Sequence, residues 1–117
     1  MVAAPITLRR GSIYWVDFEP VRESEQGKLR PALVIQNDVG NEFSSTTIVA
    51  PISSRLPARV YPFHVWLPEG ILESPGIIMC EQIRTVAIER FTSGAVAACS
   101  EDLMRQVDEA LRHSLTL

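Results

Sequence analysis

Up to about residue 98 the apolar positions fall in short blocks separated by polar stretches bearing Gly or Pro, and only after Ser100 do they shift to a four-residue spacing. Ser12 to Phe18 (Ser-Ile-Tyr-Trp-Val-Asp-Phe) is dense in β-formers without Gly or Pro and reads as a first strand. Residues 19 to 28 break that pattern with Pro20, Gly27 and charges of both signs, the composition of a loop. A polar loop of this length in a small chain generally has work to do. Leu29 to Asn37 predicts a second strand, with Pro31 tolerable near its start or on an edge. Asn37 to Phe43 turns the chain, Thr46 to Ile52 is a third β-run closed by Ser53-Ser54, and a connection bearing Pro and Arg leads to Tyr61. Phe63 to Leu67 and Gly76 to Ile83 supply two more strands, and Gly94 to Ala98 a short last one.

The closing segment has a different period. Ser100 is a good N-cap, Glu101 and Asp102 suit the positive end of a helix dipole, and Leu103, Val107, Leu111 and Leu115 line one face of an amphipathic helix. So many short strands in so short a chain predict a mainly β fold, a compact β-barrel rather than a sandwich, followed by a C-terminal α-helix.

At 117 residues the chain predicts one domain over residues 1–117, with any active site on the surface of its core or at a subunit interface. A hydrophobic share of 46% and a charged share of 21% argue against disorder or a fibrous repeat. No apolar run approaches the roughly 18 residues that cross a bilayer, and Met1 to Pro5 lack the features of a secretion signal, so a cytoplasmic location with no membrane partner is expected. The net charge of −3 disfavours a nucleic-acid binder only if charge is evenly spread. It is not: residues 1–60 hold seven basic side chains (Arg9, Arg10, Arg22, Lys28, Arg30, Arg55, Arg59) against six acids, and the remainder four against eight. The first half can therefore carry a basic patch.

Metal and cofactor chemistry lack a signature. His64 and His113 lie in unrelated segments, without an HExxH motif or clustered Cys/His spacing, and no catalytic metal or other cofactor is expected. Cys80 and Cys99 form no CxxC pair and read as buried thiols, while His64 reads as a surface or satisfied strand residue. GxSxG elbows and Gly-rich phosphate loops are absent. What remains is Arg30, directly after the polar loop, and the hydroxyl pair Ser53-Ser54 ending the third β-run. RNA cleavage without metal needs help in deprotonating a 2′-hydroxyl, positive charge on the phosphorane and a donor to the leaving oxygen. A guanidinium supplies charge and forked donors, and a nearby hydroxyl can hold a phosphate oxygen.

An ordered set of segments sharpens this reading. Residues 10–18 (Arg-Gly-Ser-Ile-Tyr-Trp-Val-Asp-Phe), Ser24-Glu25-Gln26-Gly27 and residues 30–38 (Arg-Pro-Ala-Leu-Val-Ile-Gln-Asn-Asp) closely resemble the opening of MazF/PemK toxins. Val49-Ala50-Pro51-Ile52-Ser53, Glu81-Gln82-Ile83-Arg84-Thr85 and the closing helix continue the likeness, from about Leu8 to Leu115. The resemblance implies an SH3-like barrel with a C-terminal helix, a homodimer, and a toxin that cleaves single-stranded RNA at short motifs, leaving 2′,3′-cyclic phosphate and 5′-hydroxyl ends. It places the family's catalytic arginine on Arg30 and its catalytic hydroxyl, commonly a threonine, on Ser53. Serine keeps the hydroxyl but lacks the methyl that restricts the threonine rotamer.

On the same resemblance Glu25 and Gln26 border the active site, and Gln82 and Arg84 line the RNA groove, where an amide reads base edges and a guanidinium meets phosphate or stacks on a base. The alternative for Arg84 is an ion pair with Glu81 or Glu89. Trp15, Phe18 and Trp66 read as barrel core rather than as stacking groups. The implied protein partner is a cognate antitoxin whose disordered acidic tail occupies the groove. Two rivals share the fold: a toxin that poisons DNA gyrase, which relies on a tryptophan near the C-terminus where this chain reads His113-Ser114-Leu115-Thr116-Leu117, and an interaction module that does not cut.

Overall fold

The computed structural model describes residues 6–18 and 29–117. Its elements are β1 (Ser12–Asp17), β2 (Leu29–Val34), α1 (Asp38–Phe43), β3 (Thr46–Ser53), β4 (His64–Leu67), β5 (Gly76–Met79), β6 (Arg84–Ala87), a 3-10 turn (Ile88–Arg90), β7 (Ala97–Ala98) and α2 (Glu101–Leu115). The strands form one antiparallel sheet in the order β4-β5-β3-β2-β1-β7, with β6 also paired to β3. The sheet curls into a half-barrel, and α2 packs against one side of it.

β3 is the strand on which both halves of the sheet converge. Val34, Leu33 and Ala32 of β2 pair along one edge with Val49, Ala50 and Pro51. Along the other edge, Thr46 to Val49 pair with β6, whereas Ile52 and Ser53 pair with β5. Pro51 falls between those two ladders. The Ile35 N–H donates to the Ile48 carbonyl at 2.9 Å, so Ile48 and Ala50 direct their backbone groups toward β2 and Pro51 directs its own toward the β5/β6 edge. The N–H that proline lacks would have pointed into the gap where that edge passes from one strand to the other, which is how a proline sits inside a central strand.

Each face of the sheet is covered. On one side Ile13, Leu33, Ala50, Ile52, Val65, Leu67 and Ile78 meet Leu103, Val107 and Ala110 of α2. On the other, Tyr14, Val16, Ala32, Val34, Val49 and Val86 are covered by Leu8 and Phe91. Continuous apolar runs such as Ala32-Leu33-Val34 follow from burial on both faces. The helix starts where the sequence predicts, with the Ser100 Oγ accepting the Leu103 N–H at 3.1 Å. Arg10 ties it to the sheet, its Nη2 donating to Asp108 at 2.6 Å and its Nε to the Ile35 carbonyl at 2.8 Å.

Three expectations need correction. The stretch 37–43 is a short helix rather than an irregular turn, capped by the Asn37 side chain, which accepts the Gly40 N–H. The strand expected over 76–83 ends at Met79, the Gln82 N–H closes a turn onto the Met79 carbonyl at 3.0 Å, and a separate strand, β6, follows. Trp15 and Trp66 are not core: they are 37% and 48% exposed, and Phe18 is only partly buried.

Asn41 is buried at the junction of α1 and β3. Its Oδ1 accepts from the Thr47 hydroxyl at 2.6 Å and from the Gln36 amide, while its Nδ2 donates to the Gln36 carbonyl and to Asp38. Replacing Asn41 with Ala strands the buried Thr47 hydroxyl, and urea unfolding is expected to show a loss of about 3 kcal/mol. Asp38 accepts the Arg10 backbone N–H at 2.7 Å, and this bond, then that from Asn41, holds its carboxyl below the ordinary 3.8. A lowered folded-state value means the stabilisation is complete above the unfolded value and lost as pH falls through the folded one. The stability advantage of wild type over Asp38→Asn should accordingly stay constant at pH 5 to 7 and shrink below about pH 4, as read by urea unfolding.

Candidate active site

The register of the sheet brings the two residues singled out for chemistry to one place. The β2–β3 ladder runs Val34↔Val49, Leu33↔Ala50, Ala32↔Pro51 and ends there, with Arg30 two residues beyond it on β2 and Ser53 two residues beyond it on β3. Side chains alternate between faces, so Arg30 shares a face with Ala32 and Val34, and Ser53 with Val49 and Pro51. Both therefore lie on the same face, at the end of the sheet where β3 leaves β2 to pair with β5. Gly76 permits that pairing: a Cβ there would stand 2.9 Å from Ile52 Cγ2 and 3.2 Å from the Ser53 carbonyl oxygen.

The Ser53 hydroxyl is held in place. It accepts the Arg55 backbone N–H at 3.1 Å and donates to the Arg55 carbonyl at 3.2 Å. This local bonding supplies the rotamer restraint that a threonine methyl would otherwise give. The hydroxyl can turn its proton from the Arg55 carbonyl to a bound oxygen and still accept the Arg55 N–H. Arg30 is exposed.

An open trench of about 1220 Å³ lies at this end of the half-barrel, bordered by Arg30, Ser53, Ser54, Arg55, Trp15 and the 70–76 segment. It is larger than the roughly 300–1000 Å³ of a typical small-molecule site. Its described lining has two arginines, Arg30 and Arg55, against one carboxylate, Glu73, so anionic ligands are favoured despite the negative whole chain.

The other predicted residues are placed differently. Glu25 and Gln26 lie outside the described residues. Arg84 shares the Arg30 and Ser53 face through its pairing with Val49, but it stacks over the Phe18 ring at 5.0 Å from the centroid and does not border the trench. Among the described residues it has no ion pair with Glu81 or Glu89; Glu81 instead bonds His64 Nε2 at 3.0 Å. His64 Nδ1 accepts the Tyr61 N–H, so the neutral ring carries its proton on Nε2 and donates it to Glu81, a satisfied strand histidine as expected. Gln82 is exposed in the turn before β6, away from the trench lining.

Sequence reasoning missed Trp15 and Arg55, which line the trench, and the exposure of Trp66. For Trp66 a signal was available: in His64-Val65-Trp66-Leu67, alternation puts it on the side of the polar His64. For Trp15 there was none, because β1 is apolar on both faces.

Among the described residues no group of three or more His, Cys, Asp or Glu side chains could hold a metal ion. No described helix is long and apolar enough to cross a membrane.

The model of PemK-like, MazF-like toxins of type II toxin-antitoxin systems matches residues 9–115. The chain belongs to this family. It is 43% identical over 112 residues to "Endoribonuclease EndoA" of Bacillus subtilis (strain 168), covering 94% of this chain and 96% of that protein. Of solved structures, a MazE-MazF structure (Form-II) from Deinococcus radiodurans superposes with a TM-score of 0.80 at 27% identity, covering 95% of this chain and 97% of the other. An endoribonuclease in complex with its cognate antitoxin from Mycobacterial species shares the fold, with a TM-score of 0.76 at 20% identity and 97% of each chain covered.

The thiols of this PemK/MazF chain stand apart from the site. Burial, and secondarily the Glu81 charge, push the Cys80 thiol up to about 12, and burial pushes Cys99 to about 11. At pH 8 neither forms appreciable thiolate. Native protein treated with iodoacetamide at that pH should stay unmodified by mass spectrometry, with both cysteines alkylated only after unfolding.

Proposed function

We infer that this chain is an endoribonuclease toxin that cuts single-stranded RNA by a metal-independent transesterification, with Arg30 and Ser53 as its catalytic groups. The reading is carried by one observation: just past the end of the β2–β3 ladder, a guanidinium and a positioned hydroxyl border one cationic trench. The name of the EndoA relative supports the activity.

In the proposed reaction the 2′-hydroxyl loses its proton and its oxygen attacks the adjacent phosphorus. The bond from phosphorus to the 5′-oxygen breaks, and that oxygen takes up a proton. A 2′,3′-cyclic phosphate and a 5′-hydroxyl result. Arg30 donates forked N–H bonds to the non-bridging oxygens as charge grows on them and takes part in the proton transfer. Ser53 donates to a phosphate oxygen while the Arg55 N–H holds its lone pair. Glu25, Gln26, Gln82 and Arg84 are assigned to substrate binding, Arg84 by offering its outer π-face or a donor to the strand while Phe18 supports it from beneath.

The active unit is a homodimer of a single domain spanning 1–117, and the cell restrains it with an antitoxin whose acidic, disordered tail occupies the same cationic trench. Antitoxin binding is supported by the complex of the mycobacterial fold relative.

Purified protein incubated with a mixed-sequence single-stranded RNA in EDTA should make discrete cuts, with cyclic phosphate ends read by mass spectrometry. Arg30→Ala and Ser53→Ala should each lower the rate by roughly 10²–10³-fold, the loss typical of one transition-state donor, with the dimer intact by sedimentation. Ser53→Thr should stay within about tenfold of wild type. Wild type that leaves a diverse RNA pool uncut, or full activity in Arg30→Ala, would overturn the assignment.

A further inference from the structure

The face that carries Arg30 and Ser53 does not end at Ser53. In the β3–β5 ladder Ser53 pairs with Ile77, and in the β4–β5 ladder Ile77 pairs with Trp66. Directly paired residues project to the same face, so Ser53, Ile77 and Trp66 form one row across three strands, on the face that also carries Arg30. The opposite face of the same strands carries Ile52, Ile78, Val65 and Leu67, all in the core beneath α2. Trp66 stands two inter-strand spacings, roughly 10 Å, from Ser53.

Within that row Ile77 is fully buried, whereas Trp66 is 48% exposed. A half-exposed indole at the end of a row, beside a fully covered neighbour, offers a flat apolar surface at small cost in side-chain freedom. The charge around it suits a phosphate chain. Arg55 lies two residues after Ser53, and Arg59 sits 5.3 Å above the ring of Tyr61, itself 43% exposed and edge-on to His64, the residue two before Trp66 on the same face of β4. Among the described residues neither Arg55 nor Arg59 has a carboxylate partner within 4.0 Å. Aromatic platforms with unpaired cations beside them bind single strands by stacking bases and tracking phosphates.

The geometry points to Trp66 as a base-stacking subsite of the RNA track, holding a nucleotide adjacent to the one cut at Ser53, with Arg59 on the phosphate beyond it. This rests on the endoribonuclease reading above and extends it to a residue outside the Arg30 and Ser53 pair. Trp66 touches a base rather than the reacting phosphate, so it acts on binding and on the choice of cut site, not on the chemical step.

The test uses a strand containing a site mapped with wild type, made uncleavable by a 2′-deoxy sugar at the cut, and a set in which each flanking base in turn is abasic. Trp66→Ala should raise the Kd roughly 5- to 100-fold, the range of one stacked base, and Trp66→Phe should recover most of it. One abasic position should cost wild type the same factor and cost Trp66→Ala nothing further. On cleavable RNA the loss should fall in KM, with kcat at saturation within about threefold of wild type. If Trp66→Ala folds poorly, an independent reading comes from Trp15→Phe, in which Trp66 is the remaining one of the chain's two tryptophans and its fluorescence should be quenched by RNA. Cleavage by wild type with unchanged Kd in Trp66→Ala, additive losses at every abasic position, or unquenched fluorescence would overturn this inference while leaving the ribonuclease standing. A shifted dimer equilibrium in Trp66→Ala would assign the indole to a subunit contact and overturn it likewise. Wild type that neither binds nor cuts RNA would remove both readings.

Discussion

The edge pairing of β3 is the constraint from which the rest of the half-barrel follows. Its eight residues must satisfy backbone groups toward β2 on one side and toward two different strands, β6 then β5, on the other. A strand shared in this way cannot lie flat against all its partners, and it turns away from β2 after Pro51. That turn opens the trench, and the two strands part with Arg30 on one rim and Ser53 on the other. Gly76 and Pro51 are the local concessions, one removing a Cβ where β5 must come close and the other removing an N–H between the β6 and β5 ladders.

Covering both faces of a small sheet leaves little room for function. The helix α2 seals one side and the segment around Leu8 and Phe91 the other, so polar chemistry is confined to the sheet's end and to its exposed margins. The charge distribution follows the same division. Half of the second half's acid excess sits in α2, where carboxylates are engaged locally, as in Arg112 with Glu109, or tie the helix to the sheet through Arg10 and Asp108. The trench thus keeps a cationic lining within a chain of net charge −3. Such partitioning lets a weakly acidic protein take an anionic polymer, since the field at a groove depends on its own walls more than on the total.

Ser53 at the rim is positioned by backbone, and Arg84, away from the rim, by side-chain packing. Ser53 is clasped by the two peptide groups of Arg55, and Arg84 rests on the Phe18 ring rather than on a carboxylate. A cation held by a ring keeps its charge available to a ligand, whereas one held by Glu81 would be largely neutralised. Glu81 is occupied elsewhere, locking the His64 imidazole at the start of β4.

The sequence by itself located most of the β-strands and the entry point of the closing helix and singled out Arg30 and Ser53, because these rest on short-range pattern: β-former blocks, a Ser cap before Leu103, and ordered motifs around Arg30 and Ser53. It left open which strand pairs with which, and that is where the reading of 76–83 as one strand went astray. A β-former block that goes on through Glu81 and Gln82 to Ile83 does not disclose that the chain turns at Gln82 to reach the far half of β3. Nor could it tell that Trp15 and Trp66 lie outside the core, since hydrophobicity reports the tendency to be buried and only the packed sheet decides whether partners are present. The placing of Arg30 and Ser53 at one end of the sheet is likewise a product of register. Residues far apart in sequence are brought opposite by a ladder whose alignment is fixed by all its pairs at once, and no local signal carries that information.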